Sequence, residues 1–355
     1  MLAVRKTGKE KGLKVEDVPI PNINDNEVLI AVEAASICGT DLHIWDWDQW
    51  SSERLNPPLT IGHEFAGTVV ETGKSVTNVS IGDYVSAESH VTCGTCHQCR
   101  TNQAHLCPNT DVLGVDRDGA FADYISVPEK VIWQNDRTKL APEIAALQEP
   151  FGNAVFATSE IDLTGKNILV LGCGPVGLFT IGITKASGAA RILASDINQY
   201  RLTLAKEMGA DNVFNPKTNT MDTTQWVSEM TDNLGLDIVF EMTGAQNAVK
   251  TALGSAKNGG HVTLFGIPTS PIEIDISNDI IFKNLNIVGK YGRRIFETWY
   301  MTRNLLETGA VDLQPLISAS MSLEQIEDAI NMLKEGNAAK ILLRPTAHQS
   351  IDSGP

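Results

Sequence analysis

The chain has 355 residues, 42% of them hydrophobic and 20% charged, a composition able to build full cores over the two domains that this length predicts. Its 43 acidic against 28 basic residues give a net charge of −15, which repels phosphate backbones and argues against nucleic acid as a partner. No apolar run is long enough to span a bilayer, and Met1 is followed by Leu2-Ala3-Val4-Arg5 with no secretory segment, so a cytoplasmic protein with no membrane partner is expected.

Up to Phe151, short apolar runs such as residues 28–32 and 67–70 are broken by Gly, Asp and Asn, the pattern of a small, mostly antiparallel β domain. Within it lie Cys38-Gly39-Thr40-Asp41-Leu42-His43 and Gly62-His63-Glu64. Cys, His and Glu are all competent zinc ligands. Cys38 and His63 with one carboxylate, Glu64 or Glu149, would leave a position for water or substrate, the mark of a catalytic metal site. A hydroxyl at Thr40 and an imidazole at His43 could carry a proton from a metal-bound alcohol toward solvent. Taken singly, these residues also read as a buried cysteine, a core histidine, a solvated glutamate and a surface histidine.

Cys93, Cys96, Cys99 and Cys107 form a C-x2-C-x2-C-x7-C run, four of the six cysteines, in a loop over residues 89–109 too short to bury a core. Thiolates at this spacing can close a tetrahedral zinc shell, and the metal then supplies folding energy that packing cannot. The x7 gap argues against an iron–sulfur cluster. Disulfides would need an oxidising compartment. A closed structural zinc site is therefore expected, leaving the chemistry to be found elsewhere.

From Gly165 strands and helices alternate. Strands are predicted at residues 167–171, 191–195, 212–214, 237–241, 261–264 and 285–288, with helices at 176–186 and 200–208, the rhythm of a doubly wound parallel sheet. A helix, a strand near Leu316, a helix over 323–333 and a last strand over 340–343 follow. Gly172-Cys173-Gly174-Pro175-Val176-Gly177 comes directly after the first of these strands, where glycines let the backbone turn and approach a pyrophosphate. Asp196, nineteen residues past Gly177, is placed to accept from the adenosine ribose hydroxyls and disfavours a 2′-phosphate, so NAD is expected over NADP. Asp196 could also cap the helix starting near Asn198. Cys173 reads as a small filler.

C-G-T-D-x-H, G-H-E, the cysteine lobe, E-P at 149–150 and the Gly-rich loop together resemble the zinc-dependent medium-chain dehydrogenases over nearly the whole chain. The stretches CGTDLHIWDWDQWS (38–51), EPFGNAV (149–155) and YGRRIFETWY (291–300) resemble one branch in particular, that which oxidises L-threonine at C3 to 2-amino-3-oxobutyrate. The resemblance implies an α/β fold: a GroES-like catalytic domain with its zinc lobe over 1–151, a Rossmann NAD domain over 152–294 and a return to the catalytic domain over 295–344. Residues 345–355 are expected to be a frayed tail. It implies catalytic zinc on Cys38, His63 and Glu64, a proton relay through Thr40 and His43, Glu149 beside the metal, and a homotetramer. NAD contacts are implied at Val176, Asp196 and Arg201, at Phe265-Gly266-Ile267, and at Lys290-Tyr291. Lys290 departs from the apolar residue expected there. An amino-acid substrate brings two charged ends, for which Arg294 or His90 (carboxylate) and Glu149 (ammonium) are candidates. Arg293 and Arg294 could instead be a solvated pair or grip the pyrophosphate. Competing functions are a butanediol- or sorbitol-type dehydrogenase and a non-catalytic NAD-binding protein.

Overall fold

The computed structural model describes residues 1–346, so the expected frayed tail falls, beyond Thr346, outside the described residues. The chain divides into two compact units. One comprises Met1–Pro150, Arg294–Arg303 and the segment from Ile317 onward; the other comprises Phe151–Arg293 and Asn304–Leu316.

The first unit is built on Glu27–Ser36, whose ten residues are all buried. Such a strand must be covered on both faces and paired on both sides, and it is. It runs antiparallel to Glu64–Thr72, to Tyr124–Pro128 and to Lys340–Arg344 within a seven-stranded sheet. The sheet continues through Tyr84–Ala87 and Ile132–Gln134 on one side and ends at Ile317–Ser322 on the other, so the last strands among the described residues complete a sheet begun by Glu27–Ser36. Val28, Ile30, Val32, Phe65, Ile125 and Ile341 share one core.

The register of this sheet positions chemistry. Ser36 lies opposite both Glu64 and Leu342, which brings the Cys38 turn, Glu64 and Lys340 to one place. Farther along, His90–Val91 pairs with Asp111–Val112 and closes the base of the cysteine lobe.

The second unit is a six-stranded, all-parallel sheet in the order Asn212–Phe214, Arg191–Ser195, Asn167–Leu171, Leu236–Glu241, Ala256–Leu264, Asn286–Gly289. Parallel strands are buried on both faces, which is why NILVL and RILAS read as continuous apolar runs. Three strands match the sequence-based bounds. Ala256–Leu264 starts five residues before the predicted 261, with Gly259-Gly260 inside the strand. Helices Thr223–Met230 and Gln246–Ser255, unassigned from sequence, are short and carry few apolar residues.

Replacing fully buried Ile30 by Ala is expected to cost about 2–5 kcal/mol, through lost burial plus the cavity left behind. Ile20→Ala, at a position 49% exposed, should stay within about 0.5 kcal/mol. Thermal unfolding of both variants checks this; equal shifts would contradict the assignment of the core.

Candidate active site

Just past the all-buried strand, Cys38 ends the extended backbone and caps the helix Gly39–Asp46. Asp41, three residues on, accepts from the Cys38 amide at 2.8 Å and fixes this turn. One ligand atom each from Cys38, His63 and Glu64 lies within 4.8 Å of the others. His63 is 6% exposed and Glu64 fully buried. Among the described residues, His63 Nδ1, Glu64 Oε1 and Asp41 Oδ1 are buried without a hydrogen-bond partner. An orphaned carboxylate oxygen in a dry pocket is costly, and a dication held by Cys38, His63 and Glu64 would satisfy Glu64 Oε1.

The electrostatics carry the same message. Burial opposes charge on His63, yet the Cys38 thiolate, with Asp41 and Glu149, drives its pKa up to about 10. Burial lifts Asp41 to about 6 against the pull of His63 and the Cys38 amide.

Thr40 Oγ1 lies 3.8 Å from Cys38 Sγ. His43 is on the same helix with its side chain 60% exposed, and its Nδ1 is 2.6 Å from Asp48 Oδ2. Despite partial burial, Asp48 is held below the usual carboxylate range by the Ser51 amide and by His43. Glu149 is not among the clustered ligand atoms, but it is 4% exposed and accepts from Ser89 Oγ at 2.6 Å. His90 is half-buried; Glu88 Oε1 accepts from its amide at 3.0 Å and lies 3.0 Å from its Nδ1. Trp299 Nε1 donates to the other Glu88 oxygen at 2.9 Å.

The two arginines part company. Arg293 is 2% exposed and reaches Asn153 at 3.2 Å, so the pair is not jointly solvated; Arg294 faces Glu297 at 3.4 Å.

Several working residues escaped the sequence reading. Lys340, 1% exposed, donates to Glu64 Oε2 at 2.5 Å and to the Ile37 carbonyl at 3.0 Å. A lysine opening an otherwise apolar strand was the available signal, since a buried ammonium demands a partner. Asp41, Asp48, Ser89 and Glu88 are the others, each holding a candidate rather than being one.

The cysteine lobe is compact. Cys107 Sγ is 3.6 Å from Cys93 Sγ and 3.7 Å from Cys96 Sγ. A disulfide needs about 2.05 Å, whereas a tetrahedron with Zn–S near 2.3 Å has edges of about 3.8 Å. The Thr95 and Cys96 amides pull the Cys93 thiol down to about 5, while desolvation and Cys96 push Cys99 up to about 11.

In the second unit Gly172 has φ +91°, outside the reach of most side chains. A Cβ on Gly177 would come within 1.9 Å of the Gly172 carbonyl, whereas one on Gly174 would meet open space. Gly174 caps the helix Pro175–Ala186 with no side chain of its own, leaving Val176 in a first turn whose amides can take an anion. Asp196 accepts from the Cys173 amide at 2.7 Å and the Asn198 amide at 2.8 Å. The cap of Gln199–Glu207 is Asn198, bonded to the Arg201 amide, and not Asp196. Burial, then Asp196, pushes the Cys173 thiol up, so it is inert filler. The amides of Phe265 and Gly266 both donate to the Glu241 carbonyl, which draws the end of one strand over its neighbour. Ile267 and Tyr291 are 74% and 55% exposed. A separate cavity of about 410 Å³ at the amino-terminal edge of the sheet includes Lys257 and Lys283, both engaged by Asp237 or by backbone carbonyls, and holds none of these groups.

Family models described as "Alcohol dehydrogenase GroES-like domain" and "Zinc-binding dehydrogenase" match residues 24–137 and 175–308. An L-threonine 3-dehydrogenase of Symbiobacterium thermophilum is 45% identical over 346 residues, covering 97% of this chain and 98% of that protein. The chain belongs to the zinc-binding dehydrogenases. Zinc and a nicotinamide dinucleotide are the cofactors of this family, and the two metal-ligand clusters and the Gly-rich turn fit them. Among solved structures, 2R,3R-butanediol dehydrogenase from Bacillus subtilis aligns with a TM-score of 0.87 at 30% identity, covering 97% of this chain and 99% of that one. A structure described as a zinc-binding dehydrogenase from Sinorhizobium meliloti 1021, bound to NADP, gives the same values. No helix among the described residues is long and apolar enough to cross a membrane.

Cys96→Ser should remove one zinc per chain and lower thermal stability, with the metal on the Cys38 cluster retained. Unchanged zinc content, measured by elemental analysis, would contradict a four-thiolate site.

Proposed function

We propose that this zinc-binding dehydrogenase oxidises L-threonine at C3 with NAD+, giving 2-amino-3-oxobutyrate and NADH. The observation that carries the reading is near-full-length identity of 41–45% to proteins named L-threonine 3-dehydrogenase, on a chain that keeps the clustered Cys38, His63 and Glu64. The active unit spans 1–151 with the return 295–344, and NAD binds 152–294.

Cys38, His63 and Glu64 hold the catalytic zinc, which when bound supplies a Lewis acid that lowers the pKa of the hydroxyl beside it. The remaining work belongs to the chain. Thr40, beside the thiolate, accepts the hydroxyl proton, and His43, exposed and steered by Asp48, delivers it to solvent. Lys340 occupies one oxygen of Glu64, leaving the other for the metal. Glu149, fixed by Ser89, faces the ammonium, and His90, fixed by Glu88, or Arg294 takes the carboxylate. Gly172, Gly174, Val176 and Gly177 receive the pyrophosphate, Asp196 and Arg201 the adenosine ribose, and Phe265-Gly266-Ile267 with Lys290-Tyr291 the other half of NAD. Asp196 supports NAD over NADP by charge repulsion.

We place the enzyme in the cytoplasm, where thiols stay reduced, and assign it a homotetramer. The edge strand Asn286–Gly289, with Phe282 exposed before it, supports assembly through that side.

With NADH formation followed by absorbance, L-threonine should exceed 2,3-butanediol and sorbitol in kcat/KM by at least about 10²-fold, since either alcohol leaves buried polar groups unpaired. A butanediol preference would instead support the polyol reading. His43→Asn should slow turnover roughly 10²-fold or more and alter its pH profile at unchanged zinc content. An unaltered profile would mean that the proton leaves directly to water.

A further inference from the structure

We propose that Lys290 and Glu160 form a compensated charge pair at the nicotinamide end of the cofactor cleft, in which Glu160 cancels the discrimination against oxidised cofactor that a buried Lys290 ammonium would otherwise impose. The inference rests on the NAD reading above.

Sheet order carries the placement. The Gly-rich turn follows Asn167–Leu171, and Asp196 follows the neighbouring strand Arg191–Ser195, which marks that side as the adenosine half. A dinucleotide laid across the carboxyl ends of parallel strands then extends the other way, over Leu236–Glu241, Ala256–Leu264 and Asn286–Gly289. Lys290 is the first residue beyond the last of these, and its amide donates to the Leu264 carbonyl at 3.0 Å.

Its side chain does not reach into solvent. It is 6% exposed, with Nζ 2.5 Å from Glu160 Oε2 and 4.3 Å from the centroid of the Phe156 ring. Glu160 has φ +68°, a backbone conformation unfavourable for a residue with a Cβ. A cation so withdrawn from water keeps a long electrostatic reach. His261, in the adjacent strand, registers it: burial first, then the Lys290 charge, holds that imidazole below its usual range.

The two cofactor forms differ by one charge, carried on the nicotinamide ring. The nicotinamide ring of NAD+ is cationic and that of NADH is neutral, so a nearby ammonium opposes only the oxidised form. Glu160 cancels most of that opposition. Removing the carboxylate should therefore weaken NAD+ selectively, and removing the ammonium should strengthen it selectively.

Dissociation constants of the zinc-loaded full-length chain for NAD+ and NADH, measured by titration fluorescence, test this without turnover. Glu160→Gln should raise the ratio Kd(NAD+)/Kd(NADH) roughly three- to tenfold, and Lys290→Met should lower it by a similar factor. The double variant should return near the wild-type ratio, and both effects should shrink at high salt. Taking the ratio cancels any loss of binding that comes from a damaged fold. If each variant changes both constants by the same factor, the pair is structural and the proposal is overturned. Should the wild type bind neither cofactor, the NAD reading itself fails and takes this proposal with it.

Discussion

Four acidic groups converge on His63, and one lysine stands against them. Cys38, Glu64, Asp41 and Glu149 all act on this buried region, while Lys340 pairs with Glu64 and its charge also reaches Asp41. Uncompensated charge in a dry interior is among the costliest arrangements a fold can hold. A dication resolves the imbalance, and most of the first unit can be read as the apparatus that keeps those groups in place. The all-buried strand sets Ser36 opposite Glu64, the last strand returns to supply Lys340, and Asp41 ties down the Cys38 turn.

The second metal cluster solves a different problem. The lobe closed by His90–Val91 and Asp111–Val112 has little apolar surface of its own, and four sulfurs within 4.8 Å of one another replace a core. The segment just before it carries Glu88, Ser89 and His90, which brace both candidate substrate groups. Stability of the lobe and order of the substrate end are therefore linked through neighbouring residues, though the lobe takes no part in the chemistry.

Much of this was legible in the sequence, for identifiable reasons. The parallel strands announced themselves because burial on both faces demands unbroken apolar runs, and the two cysteine-bearing motifs because metal ligation restricts residue type and spacing. Positions of the ligand atoms followed from register, which local pattern does not encode. Lys340 stands 276 residues from Glu64, and Trp299 211 residues from Glu88; only a sheet completed by Lys340–Arg344, and a helix of the returning segment, bring them together. Asp196 was taken for a possible helix cap, whereas its oxygens hold the Gly-rich turn and the amide of the true cap, Asn198.

The central claim is that the anionic cluster around His63 exists to hold a dication. Counting zinc per chain by native mass spectrometry, in the intact protein and in Cys38→Ser, tests it most directly. The expected result is two zinc ions per chain, one for each ligand cluster, falling to one when Cys38 is replaced. A single zinc in the intact chain, unchanged by Cys38→Ser, would contradict it.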